Sequence, residues 1–257
     1  MCLVVIAYDA HPRYPLIVAA NRDEFHARPA QKLHWWPATP DIVAGRDLQA
    51  GGTWLGMHRS GRFATVTNFR DAAPAKRGLS SRGSLVSGFL ESELGIAAFL
   101  DSIDPDDFSG FNLLAWDGRE LGYLSNPGNE GGQLEPGVYG LANARLDAPW
   151  PKVSRTKAGL EALIETDEIN TSRLLKLLDD RRRASVREVD TTTGLPFEKA
   201  HAYSAPFIVM PDYGTRCSTA VILDRAGNVQ ISEKRFNSDG SASGQEDFRF
   251  QLSAGTE

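Results

Sequence analysis

The chain opens on two short, β-branched apolar runs. The first is Met1-Cys2-Leu3-Val4-Val5-Ile6-Ala7-Tyr8. The second is Pro15-Leu16-Ile17-Val18-Ala19-Ala20, and it runs into Asn21-Arg22-Asp23-Glu24. Both are bounded by turn residues, with a polar loop over residues 9–14 between them, and they read as the two strands of a hairpin. Symmetry about that loop pairs positions summing to about 23. Cys2 is then expected opposite Asn21, with Asp23 one step along the same face.

Further hairpins follow from the same pattern. Residues 53–58 and 62–68 flank Arg59-Ser60-Gly61, and residues 111–116 and 120–124 flank Asp117-Gly118. Strands are also expected at 138–142, at 220–224 and 229–236 across Ala226-Gly227-Asn228, and at 248–252 as an alternating edge strand. Helical spacing puts Leu85, Val86, Phe89 and Leu90 on one face of a helix starting at Ser84. It predicts a second short helix over 93–102, a third over 150–165 with Val153, Leu160, Leu163 and Ile164 on its apolar face, and a fourth over 172–180. Residues 25–40 carry Arg28-Pro29 and Trp35-Trp36-Pro37 and predict a loop, because proline interrupts helices and central strands. His26, His34, Trp35 and Trp36 in that loop either line a pocket or pack aromatics over a core edge. Residues 71–82 read as a mobile surface loop and 237–246 as a flexible Ser/Gly-rich tail. Gly51-Gly52 lacks the Lys-Ser/Thr and helix of a phosphate loop, and suits a bulge or close backbone approach. Antiparallel hairpins with helices grouped between them predict an α/β (α+β) layered fold, one domain over residues 1–257, with no repeat or linker.

Composition narrows the function classes. Over 257 residues, 41% apolar and 24% charged content is that of an ordinary globular domain. A net charge of −5 argues against a nucleic-acid surface, and no apolar run is long enough to span a membrane. The N-terminus has no basic region before Cys2, so it does not read as a signal peptide. Two distant cysteines predict a reducing, cytoplasmic setting without disulfides. Five scattered histidines lack zinc spacing, so no metal site is expected. Arg181-Arg182-Arg183 reads as a solvated basic patch, and Cys217 as a core cysteine.

The candidate chemistry sits at Cys2. By position alone a cysteine here is a small hydrophobe starting a buried strand. The polar run expected opposite it turns the reading toward function, because a buried Asn-Arg-Asp-Glu run is costly unless paired or used. An initiator Met before a small residue is commonly removed. Removal would leave Cys2 with a thiol and an α-amine of pKa about 7.7–8, the pairing used by nucleophiles whose own amine acts as base.

Asn21-Arg22-Asp23-Glu24 after an apolar strand, with Cys2 at the start, resembles the NRDE family, the transport-and-Golgi-organisation protein family. This family is similar to N-terminal-nucleophile hydrolases such as penicillin V acylase and bile salt hydrolase. The resemblance covers nearly the whole chain, including Gly51-Gly52-Thr53-Trp54-Leu55-Gly56 and Gly214-Thr215-Arg216-Cys217-Ser218-Thr219. It implies a four-layer αββα sandwich with mainly antiparallel sheets. It implies Cys2 as nucleophile, with Asp23 and Arg216 orienting and tuning the thiol. Asn143, which ends a strand and by itself reads equally as a cap or turn residue, takes an oxyanion role by the resemblance. Asn21, Arg22, Glu24, Trp54 and Asn68 are implied as supporting or substrate-binding residues. The expected activity is that of an amidase, thioesterase or acyltransferase on a small acyl substrate, with no cofactor required. The alternative is a non-catalytic carrier of haem, acyl-coenzyme A or lipid in the same pocket.

Overall fold

A computed structural model describes residues 2–70, 79–128, 130–190 and 194–253. In chain order it contains β1 (Cys2–Tyr8), β2 (Leu16–Phe25), β3 (Ala30–Trp35), β4 (Ile42–Asp47), β5 (Leu55–His58), β6 (Phe63–Asn68), α1 (Gly83–Glu91) and α2 (Ile96–Asp101). These are followed by β7 (Phe111–Trp116), β8 (Leu121–Ser125), β9 (Glu130–Leu134), β10 (Gly137–Leu141), α3 (Pro151–Glu165), α4 (Thr171–Leu178), α5 (Phe197–Ala202), β11 (Tyr213–Leu223), β12 (Asn228–Phe236) and β13 (Ala242–Gln251). Met1 and most of the loop expected at 71–82 lie outside the described residues.

The chain divides into two compact units, one of residues 1–27 and 136–249, the other of residues 28–135 and 250–257. The first holds a six-stranded sheet ordered β10-β1-β2-β11-β12-β13. The β1–β10, β1–β2, β2–β11 and β11–β12 pairs are all antiparallel. Val5, Ala7, Ile17, Ala19, Ala220 and Ile222 pack on Leu160, Leu174, Leu175 and Leu178, so α3 and α4 cover one face. The second unit holds a seven-stranded antiparallel sheet in sequential order, β3 to β9. There Val86, Phe89 and Leu90 of α1 and Ile96, Phe99 and Leu100 of α2 pack on Ala44, Ala64, Leu113 and Ala115. The helical stripes expected from spacing are therefore the faces the helices bury.

The opening hairpin departs from its expected register by one residue. Cys2 pairs with Arg22, and Asn21 pairs with Leu3. The cause is Pro15, which has no N–H to donate to a ladder. It stays in the loop, its carbonyl accepting from Asp9 N–H at 2.9 Å, and β2 starts at Leu16. One residue of slip reverses every side chain. Asn21 and Asp23 therefore lie on the face opposite Cys2, and Arg22 on the same face.

Other differences have equally local causes. The segment expected as a loop over 25–40 contains β3, with prolines 29, 37 and 40 outside it. β3 is an edge strand with an irregular register between Gln31 and His34, which is where such a sequence is tolerated. The tail expected to be flexible over 237–246 already enters β13 at Ala242, an edge strand whose polar residues carry little apolar alternation. At Gly244 a Cβ would stand 2.5 Å from Arg235 Nη2, the movable end of a flexible side chain. β9 and α5 were not expected. β9 is built on Gly131-Gly132, and α5 is too short for a periodic signal. Gly52, at φ 65°, makes the close approach expected of it, since a Cβ would stand 2.6 Å from the Gly83 carbonyl. Among the described residues no helix is long and apolar enough to cross a membrane.

Candidate active site

The first unit's sheet places chemistry-bearing residues in a row. Val4 pairs with Leu141, and continuing that register by two residues sets Asn143 opposite Cys2. Cys2 pairs with Arg22, Arg22 with Cys217, and Cys217 with Arg235. Cross-strand partners share a face, so Cys2, Arg22, Cys217 and Arg235 stand side by side across β1, β2, β11 and β12, with Asn143 next to Cys2 just beyond the end of β10. The backbone nitrogen of Cys2 donates to Asn143 Oδ1 at 3.1 Å. Asn143 is buried. Its side-chain amide combines an acceptor oxygen with N–H donors.

Cys2 is half-buried and Cys217 buried, and neither is in a disulfide. They flank Arg22 from β1 and β11, two strand spacings or about 10 Å apart at Cα, beyond the reach of a disulfide. Burial pushes the Cys217 thiol well above its ordinary range. The nearby Glu233 carboxylate adds to the rise, and Arg22 opposes it. Cys217 is therefore a neutral thiol at physiological pH.

The opposite face carries Asn21 and Asp23. Asn21 is held on both sides: its Nδ2 donates to the Leu178 and Pro206 carbonyls at 3.0 and 2.9 Å, and its Oδ1 accepts from Ser218 Oγ at 2.5 Å. Its contacts bind α4 and the 206 segment to the sheet. Asp23 accepts from Thr215 Oγ1 at 2.7 Å, and its carbonyl accepts from Tyr213 OH at 2.8 Å. Burial pushes the Asp23 carboxyl up from 3.8 to about 6. The chain's amino-terminal charge, Lys152 and the Thr215 bond partly offset the rise. Asp23 is thus electrostatically joined to the amino terminus although its side chain leaves the sheet on the other face.

Arg216 is the extra residue of a bulge in β11, between Thr215 paired with Asp23 and Cys217 paired with Arg22. Its guanidinium donates to the Phe25 and His26 carbonyls at 3.2 and 2.6 Å. It pins the end of β2, which carries Glu24, and Arg22 and Glu24 are among the charges that act on it. Trp54 and Asn68 belong to the second unit. The Trp54 indole fills the space left by Gly45, and Asn68 is the exposed last residue of β6. His34, Trp35 and Trp36 also lie in that unit, whereas His26 lies in the first and bonds to the Met210 carbonyl. Among the described residues no group of three or more His, Cys, Asp and Glu is placed to hold a metal.

One residue here had no functional reading in the sequence. Lys152 is among the largest fully buried side chains, at 1% exposure, and its charge acts on Asp23. The signal was present: Lys152, Thr156 and Leu160 fall at helical spacing on the buried stripe of α3.

Comparisons place this arrangement among known proteins. The family model for Transport and Golgi organisation 2 matches residues 1–238. A Transport and Golgi organization protein 2 homolog of Bos taurus is 33% identical over 256 residues, covering 91% of this chain and 92% of that protein. The Drosophila melanogaster protein of that name is 26% identical over the same shares. Among solved structures, a mutant conjugated bile acid hydrolase from Clostridium perfringens superposes with a TM-score of 0.51 at 10% identity, covering 100% of this chain and 99% of that one. That likeness is one of fold, the N-terminal-nucleophile hydrolase type. With its opening cysteine and Asn-Arg-Asp-Glu run in place, the chain belongs to the Transport and Golgi organisation 2 family.

Proposed function

We propose that this chain is an N-terminal-cysteine hydrolase acting on an amide or thioester, with Cys2 exposed by removal of Met1. The observation that carries the reading is Asn143 Oδ1 at 3.1 Å from the Cys2 nitrogen, with Arg22 opposite the same residue. An α-amine at that position has an acceptor to orient it, and a guanidinium stands directly across the ladder from the adjacent thiol.

The chemistry follows from those parts. The α-amine takes the thiol proton, and Cys2 Sγ bonds to the substrate carbonyl carbon, moving the π electrons onto oxygen. Amide donors such as Asn143 Nδ2 stabilise that oxyanion. The carbonyl re-forms, the bond to the leaving nitrogen or sulfur breaks, and the α-ammonium returns its proton to the leaving group. Water, deprotonated by the amine, then cleaves the acyl-thioester and regenerates Cys2.

The test is the intact mass of the native protein together with a panel of acyl amides and thioesters, on wild type and Cys2→Ala. The reading requires a mass short by one methionine and turnover lost in Cys2→Ala. Uniform retention of Met1, or tight haem or acyl-coenzyme A binding with no product and no dependence on Cys2, overturns it in favour of a carrier.

A further inference from the structure

A buried lysine beside the amino terminus has no part in the chemistry above. Lys152 is the second residue of α3, following Pro151. Val153, its neighbour, packs with Leu3 and Ala142, the residues adjoining Cys2 and Asn143. The start of α3 is thereby fixed under the end of β1. Burying an ammonium is costly. The first turn of a helix is also the positive end of its dipole, where a cation is disfavoured, and the first turn of α3 contains no acidic residue to offset it. A cation kept against both costs needs an anion close by. Asp23, buried and acted on by both Lys152 and the amino-terminal charge, is that anion.

We propose that Lys152 is a positioning residue for the nucleophile: its ammonium, buried at the start of α3 next to the end of β1, offsets the Asp23 charge and opposes a second positive charge nearby, which keeps the Cys2 α-amine neutral and able to act as base. This rests on the hydrolase reading and adds to it. An α-amine beside a lone carboxylate is drawn toward its charged form and is a poor base. A lysine sharing that carboxylate reverses the bias, because like charge disfavours the second ammonium. The other charged or titratable groups around Cys2 are Arg22, Asp23 and Glu24 on β2, Arg216 and Cys217 on β11, and Glu233 and Arg235 on β12, whereas Asn143 beyond β10 is neutral. Arg22 and Arg216 act in the same sense as Lys152, and Glu24 and Glu233 oppose it. The lysine's share is therefore separable only by substitution at position 152.

The experiment uses the full chain labelled with [15N]cysteine, which places label at Cys2 and Cys217 alone. The Cys2 α-amine signal is titrated with pH while the Cys217 amide reports on the fold. Wild type should titrate below the ordinary α-amine range of about 7.7–8. Lys152→Met, which fills the same space without charge, should raise the midpoint by about one unit. Lys152→Arg should restore it, and the acid limb of the hydrolysis profile should move with it. Lys152→Gln is the second neutral variant should the Met variant fail to fold. An unmoved midpoint in a folded neutral variant overturns the inference while leaving the hydrolase reading intact. Absence of any titrating amine, because Met1 is retained, overturns both.

Discussion

Cys2 and Arg22 face each other directly across the first hairpin, and Arg22 in turn faces Cys217 on the next strand. One guanidinium thus stands between the chain's two thiols, yet their surroundings differ. Cys217 is 4% exposed and held neutral by burial and Glu233, whereas Cys2 is half-buried at the strand end. Brief iodoacetamide treatment near neutral pH should label Cys2 and leave Cys217 unmodified until denaturant is added, since the thiolate is the reactive species. Peptide mapping with and without urea reads this. Equal labelling in the native state would show that the Cys217 environment is open.

The side-chain oxygen of Asn143 accepts from the Cys2 nitrogen, and under the proposed function its Nδ2 is the group that donates to a developing oxyanion. Asn143→Ala removes both functions and should lower kcat by about 10²–10³. Asn143→Asp keeps the oxygen that orients the amine and loses the donor. A hydrolysis assay of both variants separates the roles: comparable losses assign the effect to the lost N–H, and a much smaller loss in Asn143→Asp assigns it to orientation of the amine.

Much of this arrangement was legible before any coordinates. The apolar stripe of Leu85, Val86, Phe89 and Leu90, the turn at Asp117-Gly118 and the placement of Asn143 just past a strand end all follow from spacing and turn chemistry that act within a few residues. The pairing of Cys2 failed by one residue because Pro15 was counted as strand although it has no N–H to donate. The burial of Lys152 was not read because a lysine on a helix is ordinarily solvated. Only the tertiary contacts of Val153 with Leu3 and Ala142 draw the start of α3 under the sheet. β3 and the first half of β13, a strand expected only from residue 248, escape the pattern for a related reason: edge strands need little apolar alternation, so prolines nearby or a run of Ser and Gly outweigh the signal.

Asp23 makes stability fall as pH rises. Its folded carboxyl titrates at about 6 against 3.8 for the ordinary group. Between those values the native state holds a proton that the unfolded state has lost, and the slope of unfolding free energy with pH is negative. The loss accumulates from about pH 4 to pH 6 and persists above it, amounting to roughly 2–3 kcal/mol. Asp23→Asn can still accept from Thr215 without carrying charge, so it should remove this slope, but it leaves the buried Lys152 ammonium without its anion and should unfold at lower denaturant at pH 7. Urea titrations at pH 4 and pH 7 on both proteins check it. Under the proposed function the same variant should also lose activity.

Asn21 should behave differently. It stands on the helix-covered face, where its amide spans the Leu178 and Pro206 carbonyls and accepts from Ser218. Asn21→Ala would leave two buried carbonyls and a hydroxyl without that partner, a loss of about 3 kcal/mol or more. Asn21→Asp should be as damaging, since a carboxylate cannot donate to either carbonyl and would be buried as a charge. Equilibrium unfolding in urea measures the loss, and labelling of Cys2 under native conditions measures whether the row on the other face is disturbed. A large fall in stability with unchanged Cys2 labelling is the expected pair of results. It assigns Asn21 to holding α4 and the 206 segment on the sheet. Unchanged stability with lost activity would return Asn21 to the reaction itself.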